Sequence, residues 1–150
     1  MNEEALPGLI GLACNSGILG VLAIQDIRNK SIELLPLLTL ALINGGLCLY
    51  FGRSILSVLI SLLPGMAAIL ISFITKGKLG TGDGLVLIAT GLLYDWDRVM
   101  AVWLLALVMS AFTGIVLIIM KKANIKTALP FIPFLLAGYV ILEAAERMTA

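Results

Sequence analysis

The sequence predicts an all-α, polytopic membrane protein, a bundle of about six transmembrane helices joined by short loops in one domain. Three observations carry that expectation. Of 150 residues, 61% are hydrophobic and 13% charged, with mean hydropathy +1.12, a balance that a soluble domain with a single buried core does not show. The apolar residues gather into runs near the ~20 residues needed to cross roughly 30 Å of hydrocarbon. Short polar clusters separate the runs, with no linker and no low-complexity tract between them.

The first run extends from about Leu6 to Gln25 and ends at Asp26-Ile27-Arg28-Asn29-Lys30. Glu3 and Glu4 stand where a secretory signal would carry basic residues, and the run is longer than a signal's apolar region, so a signal peptide is not expected. The second segment runs from Leu34 to Phe51. A turn at Gly52-Arg53-Ser54 leads to the third, Ile55 to Ile74. Thr75-Lys76-Gly77-Lys78 then introduces Gly80-Thr81-Gly82-Asp83-Gly84 and the fourth segment. Counted from Leu79 to Trp96, that segment reaches about 27 Å and carries Asp83 roughly one turn inside the boundary. Asp95-Trp96-Asp97-Arg98 closes it. The fifth runs from Val99 to Met120, and Lys121, Lys122 and Lys126 follow. The last, about Ala128 to Leu142, is interrupted early by Pro130 and Pro133 and ends in Glu143-Ala144-Ala145-Glu146-Arg147.

Orientation follows from the basic residues. The loops after the first, third and fifth segments hold Arg28, Lys30, Lys76, Lys78, Lys121, Lys122 and Lys126, whereas the opposite side holds Arg53, Arg98 and Arg147. Seven against three places the first set in the cytoplasm, with both termini outside. Asp26 and Asp83 then lie at the same, cytoplasmic, end of the bundle.

Composition also excludes chemistry. The chain has no histidine, which removes Ser-His-Asp and Cys-His catalysis and every histidine-bearing zinc motif. Cys14 and Cys48 stand in apolar runs without a CxxC and read as small hydrophobes. A net charge of +1 offers no basic stripe, so nucleic acid is not an expected partner; membrane lipid is.

An acid inside a transmembrane segment costs about 2.5–3.5 kcal/mol on insertion scales and marks a functional site by default. Two carboxyl groups held close cannot both ionise cheaply, so they share a proton. Such a dyad activates water for amide hydrolysis and needs no metal, nucleophilic serine or cofactor. Each acid also has a plainer reading: Asp26 as a solvated loop acid or a helix-end charge, Asp83 as a helix N-cap. Glu33 reads as a first-turn acid complementing a helix dipole. Asp95, Asp97, Glu143 and Glu146 read as solvated charges at outer helix ends, and Trp96 and Trp103 as interfacial aromatics. The glycines beside Asp83 let another backbone approach the carboxylate.

With Asp26 ending the first segment, Gly80-Thr81-Gly82-Asp83 entering a later one and Leu129-Pro130-Phe131-Ile132-Pro133-Phe134 opening the last, the sequence resembles the type IV prepilin peptidases, GxGD-type intramembrane aspartyl proteases. The resemblance covers nearly the whole chain. It implies that Asp26 and Asp83 are the catalytic aspartates and that Gly80, Gly82, Pro130, Phe131 and Pro133 line the substrate site. It implies cleavage of a short basic leader from prepilins or pseudopilins at the cytoplasmic membrane face. The family's first motif usually continues to Ile-Pro, where this chain has Ile32-Glu33, and GxGD is often followed by Val-Lys, where this chain has Gly84-Leu85. Larger members also carry a cytoplasmic domain with paired CxxC motifs and methylate the new N-terminus. This chain has a short loop there, so peptidase activity without methyltransferase activity is expected, with no need for S-adenosylmethionine or zinc.

Two other functions fit parts of the pattern. A proton- or ion-coupled transporter would use Asp26 and Asp83 as ion-binding acids, although no inverted repeat is evident. A non-catalytic assembly protein of a pilus or secretion system would keep the fold and lose one aspartate. The small-residue pairs Gly17 with Gly20 and Gly45-Gly46 suit packing within the bundle or between chains, leaving the oligomeric state open.

Overall fold

Six helices and no strands make up the described residues of the computed structural model, which are 5–29, 32–75, 80–121 and 129–149. They are α1 (Ala5–Asn29), α2 (Leu34–Tyr50), α3 (Ile55–Ile74), α4 (Thr81–Gly91), α5 (Trp96–Ile119) and α6 (Ile132–Thr149). Two of these are long and apolar enough to cross a membrane, α3 with 20 residues and α5 with 24; α2 is a shorter apolar helix. Five of the seven lysines and arginines that set the expected orientation, Lys30, Lys76, Lys78, Lys122 and Lys126, lie outside the described residues, as does the start of the last expected segment.

The central element is α4. It packs most extensively on α3 and touches α2 and α5 as well, while α6 is held between α1 and α5. Close approach of α3 and α4 depends on glycine. A Cβ on Gly65 would lie 2.7 Å from Ile88 N and 2.8 Å from Gly84 O, and one on Gly91 would lie 2.5 Å from Ser61 O. Two backbones can meet so closely only where neither carries a side chain at the crossing. By contrast nothing lies within 4 Å of a Cβ on Gly17, Gly20, Gly45 or Gly46, so these pairs do not supply the packing between helices.

The fourth segment is shorter than its apolar run. Helix α4 has 11 residues, about 16 Å, and stops at Gly91 instead of continuing to Trp96. Its end is sealed by Arg53 from the α2–α3 turn, whose Nη1 donates to the carbonyls of Gly91, Leu92 and Tyr94 at 3.0–3.2 Å. The last carbonyls of a helix have no partner within it, and here a guanidinium with its planar fork of donors takes them. Arg53 Nη2 also pairs with Asp95 Oδ1 at 2.6 Å and donates to Ser57 Oγ and Ser61 Oγ. Asp95 is therefore an ion-pair partner and not merely a solvated acid. The same correction applies to Glu143 and Glu146, which both pair with Arg98. Trp103 is also buried, packed in the core with Val99, Val102 and Ala106 and not at an interface.

A second polar device ties α1, α2 and α4. Asn15 and Asn44, both fully buried, exchange side-chain amide hydrogen bonds at 2.8 and 2.9 Å, and Asn44 Nδ2 also donates to Ala89 O at 2.8 Å. A buried amide without a partner is costly. This arrangement satisfies two of them and fixes the axial positions of three helices against one another.

Candidate active site

Helix α1 continues past the expected boundary to Asn29, so Asp26 is a residue of its last turn and not of a loop. Its side chain is turned inward and the residue is 8% exposed, so the solvated reading does not hold. Ile132 donates its backbone N–H to Asp26 Oδ2 at 3.0 Å. Ile132 is the first residue of α6, and Pro133 follows with no N–H of its own. Asp26 thus answers an unpaired donor at the start of α6, where the helix dipole also favours negative charge.

Asp83 is in the first turn of α4 and is 7% exposed. Gly80, with extended φ and ψ of −63° and 128°, holds the N-cap position, and Asp83 N donates to Gly80 O at 3.2 Å. The N-cap reading of Asp83 is therefore displaced by three residues. Its carboxylate folds back over Gly80, where a Cβ would lie 2.9 Å from Oδ2. Ile32 lies against Gly82, the neighbour of Asp83, while the next residue, Glu33, accepts from Gln25, the neighbour of Asp26, so the two acids from α1 and α4 share one end of the bundle.

The other expected residues gather around them. Gly80 is exposed and Gly82 half-buried, which opens this end to the surroundings, while Phe131 is buried and Pro130 and Pro133 are half-buried. The face of Gly82 that a side chain would occupy is filled by Ile32. Glu33 stands at the N-cap of α2 without capping it by its side chain; its Oε2 accepts from Gln25 Nε2 at 2.9 Å, a partner that adds to its place at the positive end of the helix. Sequence reasoning passed over Ile32, Gln25, Arg53 and the Asn15–Asn44 pair. The two asparagines were detectable, since a polar residue in the middle of an apolar run demands a partner. The contact of Ile32 with Gly82 carries no such signal.

Two buried acids at one end of an apolar all-α bundle, each at a helix end, make up a site suited to proton transfer. The chain belongs to the type IV leader peptidase family, whose family model matches residues 13–119, and it is accordingly a protease by family. The match includes Asp26 and the Gly80–Gly84 element and ends before the Pro130–Pro133 corner, which joins the acids through the Asp26–Ile132 bond. Searches of curated proteins and of solved structures return no match.

Proposed function

We propose that this protein is an intramembrane aspartic endopeptidase that removes the basic leader from prepilin or pseudopilin precursors at the cytoplasmic face of the inner membrane, with all six helices embedded in a single membrane domain. The observation that supports the reading is that two buried acids, Asp26 in the last turn of α1 and Asp83 in the first turn of α4, lie at the same end of the bundle.

In the reaction the ionised member of the pair takes a proton from water as that water attacks the scissile carbonyl. The protonated member donates a hydrogen bond to the carbonyl oxygen and stabilises the tetrahedral intermediate. The protonated member then gives its proton to the amide nitrogen, the C–N bond breaks, and leader and mature chain separate with one water consumed and the dyad holding a single proton again. Gly80 and Gly82 give an extended substrate strand access to the backbone beside Asp83. The Pro130, Phe131 and Pro133 corner forms the opposite wall and holds Asp26 in place. The dyad itself calls for neither metal nor organic cofactor, and methyl transfer is not part of the activity.

The test is co-expression with candidate precursors, reading leader removal as a gel shift. Wild-type protein shortens the precursor, and Asp26→Asn or Asp83→Asn leaves it full length at equal membrane abundance. Full processing by either variant overturns the reading.

A further inference from the structure

Ile32 lies directly on Gly82. A Cβ built on that glycine would collide with Ile32 Cδ1 and lie 3.0 Å from Cγ1 and 3.3 Å from Cβ. Gly82 is the residue before Asp83, so the aliphatic side chain covers the backbone that leads into one acid. The next residue, Glu33, is bonded to Gln25, the residue before the other acid, at 2.9 Å. One short corner is thus pinned beside both carboxylates. Gln25 gives its amide donor to Glu33, and its Oε1 is buried with no hydrogen-bond partner among the described residues. Burying a polar acceptor in this way is unfavourable, and such an atom beside an acid pair is placed to receive an N–H from an incoming peptide.

We propose that Ile32 is the resident occupant of a substrate seat. On the peptidase reading given above, on which this inference rests, an apolar side chain of the precursor near the scissile bond displaces Ile32 from Gly82. A substrate backbone N–H then pairs with Gln25 Oε1. The Gln25–Glu33 hydrogen bond holds the seat filled, so its strength sets how readily substrate enters. A protein whose binding-competent form is a fraction of the population binds more weakly by that fraction. If Ile32 were packing alone, its removal would loosen the site and weaken binding. The two roles therefore predict changes of opposite sign.

The experiment measures binding, without chemistry, on full-length Asp83→Asn protein in lipid nanodiscs. The probe is a fluorescent synthetic peptide with a basic leader followed by an apolar segment. Adding Ile32→Ala or Glu33→Ala lowers Kd about 2- to 10-fold, the range of one hydrogen bond's net contribution. Gln25→Leu, which removes latch and acceptor together, binds less tightly than Glu33→Ala. Glu33 is exposed, so its variant reports even if Ile32→Ala fails to fold. An unchanged or raised Kd in the Glu33→Ala protein overturns the inference, as does absence of binding by all of these proteins. Cleavage of precursor by Asp83→Asn would overturn the peptidase reading instead, and the binding data would still judge the seat.

Discussion

Asp26 Oδ2 accepts the N–H of Ile132 at 3.0 Å, a bond between residues 106 positions apart. It joins the last turn of α1 to the first of α6, and with Asp83 in the first turn of α4 it makes one end of the bundle a meeting of three helix termini. Two of those termini are N-terminal, with unpaired N–H groups and positive dipole ends. An acid pair so placed gains partial positive charge from the backbone. Buried carboxylates need that compensation in an apolar protein.

The bond separates two roles of Asp26. Asp26→Asn keeps an oxygen that can accept from Ile132 and removes the ionisable group. Cleavage falls by at least ~100-fold, the scale of one acid–base participant, while thermal unfolding stays within a few degrees of wild type. Asp26→Ala removes the acceptor as well and costs a further ~1.5–3 kcal/mol of stability, since a hydrogen bond to a charged group is lost. Equal stability of the two variants would mean that the bond to α6 contributes nothing.

The glycines divide the same way. Gly80→Ala places a methyl group against the Asp83 carboxylate, the movable end of a side chain, so folding is retained and cleavage is reduced. Gly65→Ala and Gly91→Ala press on backbone atoms of the partner helix and destabilise by about 1–3 kcal/mol, as overpacking does. Gly17→Ala and Gly20→Ala meet open space and are neutral or stabilising by up to ~1 kcal/mol through helix propensity. Thermal unfolding in detergent alongside a leader-cleavage assay distinguishes the three classes.

What could be read from the chain follows from which signals are local. The six apolar segments were visible because hydropathy is a property of neighbours in sequence, and the bounds of α3 agree with the expectation at both ends. Asp26 and Asp83 stood out because acids at the ends of apolar runs are expensive. The length of α4 was misjudged because its stop is made by Arg53, from another part of the chain. The readings of Asp95, Glu143 and Glu146 as solvated charges missed their ion pairs for the same reason, since the partners come from distant segments, although Asp95 is indeed 76% exposed. Trp103 looked interfacial from its place near a helix start, but its direction of facing is set by packing against buried neighbours.

The Asn15–Asn44 pair is expected to hold α1 and α4 in axial register. Asn44→Ala breaks its bonds with the Asn15 amide and the Ala89 carbonyl and costs about 1–2 kcal/mol, the upper range for hydrogen bonds between helices in membranes. Replacing both, Asn15→Leu with Asn44→Leu, removes the buried amides and recovers part of that loss. Because the pair sits well away from the acids along α1 and α4, a register shift would appear as lower kcat with little change in KM. A double mutant no more stable than Asn44→Ala would count against mutual satisfaction as the role of these amides.

Arg53 provides the last test, and it contrasts a buried cation with its exposed partner. The Arg53 side chain is 11% exposed and Asp95 is 76% exposed, so the ion pair itself is largely screened and worth less than about 1 kcal/mol. The carbonyls of Gly91, Leu92 and Tyr94 are a different matter, because they are buried or half-buried and all three lose the guanidinium donor together. Arg53→Met is therefore expected to cost at least ~2 kcal/mol, whereas Asp95→Ala costs under ~1 kcal/mol. Arg53→Lys, which keeps the charge and loses the planar fork, falls between them. Since α4 is short and carries Asp83 at its other end, Arg53→Met lowers cleavage as well, and Asp95→Ala leaves it near wild type. Equal losses from the two single substitutions would show that the ion pair, not the seal on α4, is what Arg53 supplies.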